Sequence, residues 1–129
     1  MAKILIVDDS PDVLKLIANI LESNGYEVKT AASGASAIKE LESNDYDMVL
    51  TDLMMPDVDG MQVLENAILK TPKTMCIILT GHGTIKSSVE AIKKGAFDYI
   101  TKPVSPGELL IFVEKALKLK NLEEENIRL

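Results

Sequence analysis

Asp8 and Asp9, Asp52, and Lys102 each follow a short apolar run: Ile4-Leu5-Ile6-Val7, Met48-Val49-Leu50-Thr51 and Tyr99-Ile100-Thr101. A buried strand that stops at a charged residue delivers it to the mouth of a sheet, where open parallel α/β sheets hold their ligands. Three carboxylates and one ammonium gathered there repel one another unless a cation joins them. Oxygen ligands of this charge suit a hard ion such as Mg²⁺, and Mn²⁺ takes the same donors. The pattern predicts a metal-assisted reaction on an anionic substrate. A carboxylate can itself attack phosphorus to give an aspartyl phosphate, and Asp52, central in the chain, is the candidate nucleophile. Asp8 and Asp9 are the candidate metal ligands. Lys102 offers a compact positive charge to the transferred phosphoryl group, and Thr80, ending the run Met75 to Leu79, offers a hydroxyl.

Each of these residues also has a plainer reading. An Asp after a strand often caps a helix or closes a turn, and Thr80 taken alone reads equally as a turn hydroxyl. What singles them out is their recurrence at equivalent strand ends. His82 is the one histidine; it lacks partners for a metal site or a triad and is expected on a surface loop. Met54, Met55 and Met61 are expected to pack around the loop after Asp52. Asp57-Val58-Asp59-Gly60 has neither the ligand spacing of a calcium loop nor the preceding buried strand of a haloacid-dehalogenase nucleophile motif, and is expected to be a polar turn.

The elements that must position these groups alternate. Apolar runs of strand length are separated by segments with helical spacing, which predicts five βα units on one parallel sheet, a flavodoxin-like, doubly wound α/β fold. The first helix has Ser10 as N-cap and Pro11 at its first position, places Val13, Leu14, Leu16, Ile17, Ile20 and Leu21 on one face, and stops at Asn24-Gly25. Tyr26 to Ala31 reads as the second strand. Ser33-Gly34 opens a weaker helix with Ala37, Ile38 and Leu41, and Met48 to Thr51 is the third strand. A helix carrying Met61, Val63, Leu64, Ala67 and Ile68 ends before Pro72. Met75 to Leu79 is the fourth strand. Thr84 is the expected cap of a helix from Ile85 to Lys94, closed by Gly95, and Phe97 to Ile100 is a short fifth strand. Ser105-Pro106 opens an extended last helix.

Composition sets the outer bounds. The chain has 129 residues, of which 47% are hydrophobic, enough for one domain with a proper core. A net charge of -6 and a pI near 4.8 argue against a broad phosphate-backbone contact surface, so this piece is not expected to bind nucleic acid. Cys76 stands alone within Met75-Cys76-Ile77-Ile78-Leu79, reads as a small buried hydrophobe, and fits a reducing cytoplasm. No signal peptide and no membrane-spanning run is evident, and a soluble cytoplasmic protein is expected. From Leu117 onward charge density rises. Leu119, Leu122, Asn126 and Leu129 follow the spacing of a coiled-coil seam, with Asn126 where a buried amide fixes register; the same stretch reads equally as a solvated helix end.

The motifs Ile4-Leu5-Ile6-Val7-Asp8-Asp9, Asp52-Leu53-Met54-Met55-Pro56-Asp57-Val58-Asp59-Gly60, Thr80-Gly81 and Gly95-Ala96-Phe97-Asp98-Tyr99-Ile100-Thr101-Lys102-Pro103 resemble those of receiver domains of bacterial two-component response regulators, over residues 3 to about 118. The resemblance implies that Asp52 accepts a phosphoryl group from a phosphohistidine of a sensor histidine kinase. It implies Asp9 and the Met54 backbone carbonyl as direct Mg²⁺ ligands with Asp52, and Asp8 as a ligand mainly through water. Thr80 and Tyr99 would be a switch pair, and the Lys102-Pro103 peptide would be cis. The chain would catalyse its own phosphorylation and dephosphorylation and act on no other substrate.

Within that family Thr80-Gly81-His82-Gly83-Thr84, Gly95-Ala96-Phe97-Asp98-Tyr99 and the tail Leu119-Lys120-Asn121-Leu122-Glu123-Glu124-Glu125-Asn126 are similar to the regulatory domains of sigma-54-dependent activators. This likeness implies a receiver over residues 1–118 and, over 119–129, the start of a helical linker to an AAA+ ATPase and a DNA-binding domain absent here. A homodimer through the last helix, or through the face made by the fourth helix, fifth strand and fifth helix, is expected. An alternative is a stand-alone receiver that binds a target directly. A flavodoxin-like cofactor binder shares the topology, but Asp8-Asp9 would repel a flavin phosphate. A phosphatase for other substrates lacks any evident cap insertion.

Overall fold

The computed structural model describes residues 2–81 and 85–128. His82 and Thr84 fall outside them, as do Leu129 and the side chain of Asn126. The chain runs β1 (Lys3–Val7), α1 (Pro11–Ser23), β2 (Glu27–Ala31), α2 (Gly34–Ser43), β3 (Met48–Asp52), α3 (Gly60–Lys70), β4 (Met75–Thr80), α4 (Ile85–Lys93), β5 (Asp98–Thr101) and α5 (Pro106–Arg128). All five strands lie parallel in one sheet of order β2-β1-β3-β4-β5, the doubly wound flavodoxin-like order. Strand limits that differ from those expected do so by one residue, and β3 and β4 each take in the residue after the expected run, Asp52 and Thr80. Tyr26 belongs to the turn out of α1, its N–H bonded to the Leu21 carbonyl, so β2 begins at Glu27. The Phe97 N–H reaches the Cys76 carbonyl ahead of the ladder, so β5 starts at Asp98 and includes Thr101.

The inner strands are apolar on both faces because helices cover both. Ile4 and Ile6 of β1, Met48 and Leu50 of β3, and Ile77 and Leu79 of β4 meet Leu14, Ile17 and Leu21 of α1 and Leu109, Val113 and Ala116 of α5. The alternate residues Leu5, Val7, Val49, Cys76 and Ile78 meet Ala37 and Leu41 of α2 and Val63, Leu64 and Ala67 of α3. Each Leu or Ile so buried contributes roughly 1.5–3 kcal/mol. Cys76 is buried, which pushes its thiol up to about 12. Leu16, expected on the inner face of α1, is 46% exposed. Ala18 takes its place inside, because the buried stripe Leu14, Ile17, Ala18, Leu21 is narrower than the apolar pattern suggested.

Caps fix where the helices begin. The Ser10 hydroxyl accepts from the Val13 N–H and the Ser33 hydroxyl from the Ser36 N–H. At α3 the stretch expected to be a simple polar turn is a capping box: Asp59 Oδ1 accepts from the Gln62 N–H, and Gln62 Oε1 accepts from the Asp59 N–H. α4 is held differently. Among its described side chains Ser88 and Ala91 are buried, while Val89 and Ile92 are exposed. α5 continues unbroken through residue 118 to Arg128.

Candidate functional site

The expected acidic residues meet at the carboxyl end of the sheet. β1 and β3 are neighbours, so their ends bring Asp8 and Asp9 beside Asp52. One carboxylate oxygen from each of the three lies within 4.8 Å of the others, with Asp8 and Asp52 buried and Asp9 exposed. β4 follows β3, with Leu79 in register with Asp52, and this sets buried Thr80 at the rim. β5 closes the site: the Lys102 N–H bonds the Thr80 carbonyl at 2.9 Å, and the Lys102-Pro103 peptide is cis. The Lys102 stem passes over Gly81.

The Lys102 ammonium, on a side chain only 21% exposed, sits 2.7 Å from Asp8 Oδ2 and 3.3 Å from Asp52 Oδ2. Burial pulls its pKa down, but the close carboxylates of Asp8 and Asp52 outweigh that, and the net shift is upward. Asp52 is shifted upward by burial and by the charge of Asp8, against the opposing pull of Lys102 and of the Met54 N–H, which reaches Asp52 Oδ1 at 3.3 Å. Asp8 Oδ1 accepts from the Ser10 N–H at 2.9 Å. Asp8 Oδ2 is buried and has no hydrogen bond of good geometry, so its contact with Lys102 is an ion pair. Three carboxylates against one ammonium leave the cluster negative, and that oxygen under-satisfied. Both features fit a hard divalent cation held by oxygen.

Two of the expected residues keep their side chains exposed. The Met54 side chain is 65% exposed, so it does not pack as expected; Met55 and Met61 do, against the core. Tyr99 is 40% exposed on the outer edge of the sheet, where its N–H is taken by Asp98 Oδ1 at 2.8 Å.

One supporting residue was not singled out in the sequence. A Cβ on Gly60 would overlap the Asp52 carbonyl oxygen and crowd Leu53 Cα at 2.7 Å. The Gly60 N–H bonds the Leu53 carbonyl at 3.0 Å, so the start of α3 presses directly on the backbone that carries Asp52. The signal was the Asp-Gly pair ahead of a helix, which reads as an ordinary turn. Thr51, buried beside it, donates its hydroxyl to the Asp52 carbonyl at 3.0 Å.

The sequence profile of response regulator receiver domains matches residues 4–114. The chain belongs to that family. This receiver is 39% identical over 128 residues to an NtrX-like response regulator of Rickettsia bellii, covering 98% of this chain and 27% of the relative. It is 41% identical over 117 residues to the transcriptional regulatory protein GlrR of Escherichia coli, covering 91% of this chain and 26% of the relative. The receiver thus spans about a quarter of the length of these relatives. Among solved structures, a receiver domain protein from Clostridium thermocellum superposes with a TM-score of 0.89 at 40% identity, covering 95% of this chain and 98% of that one. NtrX from Brucella abortus superposes at 0.93 with 32% identity, covering 98% of this chain and 29% of that one. It is a two-component receiver related to the NtrX and GlrR regulators. Among the described residues no helix is long and apolar enough to cross a membrane.

Proposed function

We propose that this receiver takes a phosphoryl group onto Asp52 from a phosphohistidine of a sensor histidine kinase, and that the product state changes which surface it presents. The observation that carries the reading is the net-negative cluster of buried Asp8 and Asp52 with exposed Asp9, with Lys102 reaching two of its members. An Asp52 oxygen attacks phosphorus, the bond from phosphorus to the imidazole nitrogen breaks, and the nitrogen leaves with the electron pair. Lys102 is placed to follow the charge that moves onto the phosphoryl oxygens, and the Thr80 hydroxyl to donate to one of them. Asp8, Asp9, Asp52 and the Met54 carbonyl would hold Mg²⁺ or Mn²⁺. The ion, when bound, neutralises the phosphoryl oxygens so that an anionic nucleophile can approach them.

The switch would run from Thr80 to Tyr99. A phosphoryl group on Asp52 draws Thr80 inward, and the Tyr99 ring, now exposed, turns into the space. A movement of this kind would bias the face made by α4, β5 and α5 between two states. In this reading the protein is cytoplasmic and forms a homodimer through α5 or through the α4-β5-α5 face. Residues 119–129 begin a linker to the output domains of a sigma-54-dependent activator, which bind the DNA. The test is intact mass after incubation with Mg²⁺ and acetyl phosphate, together with a sizing column. A single labile phosphoryl adduct, absent from Asp52→Asn, is expected. No adduct on the native chain overturns the reading.

A further inference from the structure

At the opposite end of the sheet, α5 runs past the domain core. Its inward positions Leu109, Val113 and Ala116 are fully buried, and the next position on that face is a lysine, Lys120. The Lys120 side chain is 12% exposed, and its ammonium lies 3.3 Å from Asp47 Oδ1. Asp47 is itself tied on every side. Its Oδ2 accepts from the Lys3 N–H at 2.8 Å, its N–H bonds the Lys3 carbonyl, and its carbonyl accepts from the Met75 N–H. It therefore binds together the starts of β1, β3 and β4. Between Asp47 and the helix is a cleft of about 420 Å³ lined by Ala2, Tyr26, Asp47, Leu117, Lys120 and Asn121. The helix stands off from the sheet there, and the ion pair crosses the gap.

We infer that Asp47 and Lys120 form a latch that makes the last turns of α5 a rigid arm of the receiver. A shift of α5 against the sheet is then passed along the helix rather than absorbed at a hinge. The latch also fixes rotational phase. With Lys120 facing inward, Leu119 and Leu122 are carried on the outer side, where both are exposed. Such a placement is what a helix seam between two copies would need. The seam rests on the proposed function; the latch does not, because it lies within one chain.

The test is amide hydrogen exchange on the full chain, with Lys120→Met, Asp47→Asn, the double variant and Lys120→Arg compared at low protein concentration. Exchange at residues 117–122 is expected to rise about three- to tenfold in either single variant and no further in the double. Lys120→Arg should keep native protection, and residues 109–113 should be unchanged in every variant that folds. Unchanged exchange at 117–122 in Lys120→Met, or additive effects in the double variant, overturns the latch. If Asp47→Asn fails to fold, the contrast of Met with Arg at position 120 still decides. A chain that stays monomeric on a sizing column while Lys120→Met speeds exchange removes the seam and leaves the latch standing.

Discussion

Two lysines meet aspartates at opposite ends of the same sheet, and the difference between them separates chemistry from construction. At the carboxyl end Lys102 lies between Asp8 and Asp52 with Asp9 close by, so one positive charge faces three negative ones. At the amino end Lys120 meets Asp47, whose second oxygen is taken by a backbone N–H. The first cluster is net negative and fits a cation; the second sets one charge against its opposite. Burial sharpens the contrast, since Asp8 and Asp52 are almost wholly enclosed while the Asp47 side chain keeps partial contact with solvent. An imbalance of buried charge costs stability unless a counter-charge joins it, whereas a paired charge at the margin costs little.

The largest effect is expected from Gly60→Ala. The added Cβ collides with the backbone of Asp52 and Leu53 rather than with a flexible side chain, so overpacking should cost about 3 kcal/mol and lower the melting temperature by on the order of 10 °C. Thermal unfolding measures it, and exchange at residues 117–122 below the transition should remain native if the two ends are separate devices. Mg²⁺ comes next. At a hundred times its dissociation constant it should stabilise the native chain by about 2.7 kcal/mol. Asp9→Asn should lose most of that gain and Lys120→Met none of it. Equal losses in both variants would erase the distinction between the ends.

A third expectation concerns pH in metal-free buffer. Burial raises the Asp52 carboxyl above its ordinary value despite Lys102, so the folded state holds that proton more tightly than the unfolded chain does. The resulting contribution to stability is complete in acid, below the unfolded value, and is lost as pH rises through the folded one. At neutral pH the ionised carboxylate therefore weighs against folding. Asp52→Asn, which leaves the Lys102 contact with Asp8 in place, should be more stable than the native chain at pH 7. The advantage should disappear below about pH 4, where both states of the native chain are protonated. Denaturant unfolding at several pH values checks this, and an advantage independent of pH would trace the effect to packing instead.

The two ends were unequally legible in the sequence. The carboxyl end was readable because its groups terminate apolar runs: a strand's length and its last residue are local properties, and parallel order then gathers Asp8, Asp9, Asp52 and Lys102 with no further information. The caps at Ser10 and Ser33 were readable for the same reason. What escaped depends on contacts distant in sequence or on backbone proximity. Gly60 matters through the carbonyl of a residue in another element, and Lys70 closes α2 from α3, its ammonium donating to the carbonyls of Leu41 and Asn44. The Asp47-Lys120 pair joins residues that read separately as a strand entry and a solvated tail. The Asp59-Gln62 box was local and could have been read: an acid followed three residues later by Gln, ahead of an apolar run, is its signature.

The smallest effect should come from the amino end, and its size is what makes it informative. Asp47 is partly exposed, so Lys120→Met should change global stability by less than about 1 kcal/mol. The methionine stem still covers the apolar surface that the lysine stem covered. Raising NaCl to about 1 M, where the Debye length falls to about 3 Å, should bring native exchange at 117–122 toward that of the variant. The enclosed Lys102 contacts should answer salt far less, because little water reaches them. If salt loosened the carboxyl end as readily as the amino end, the charge there would be solvent-compensated, and the case for a cation among Asp8, Asp9 and Asp52 would lose its physical basis.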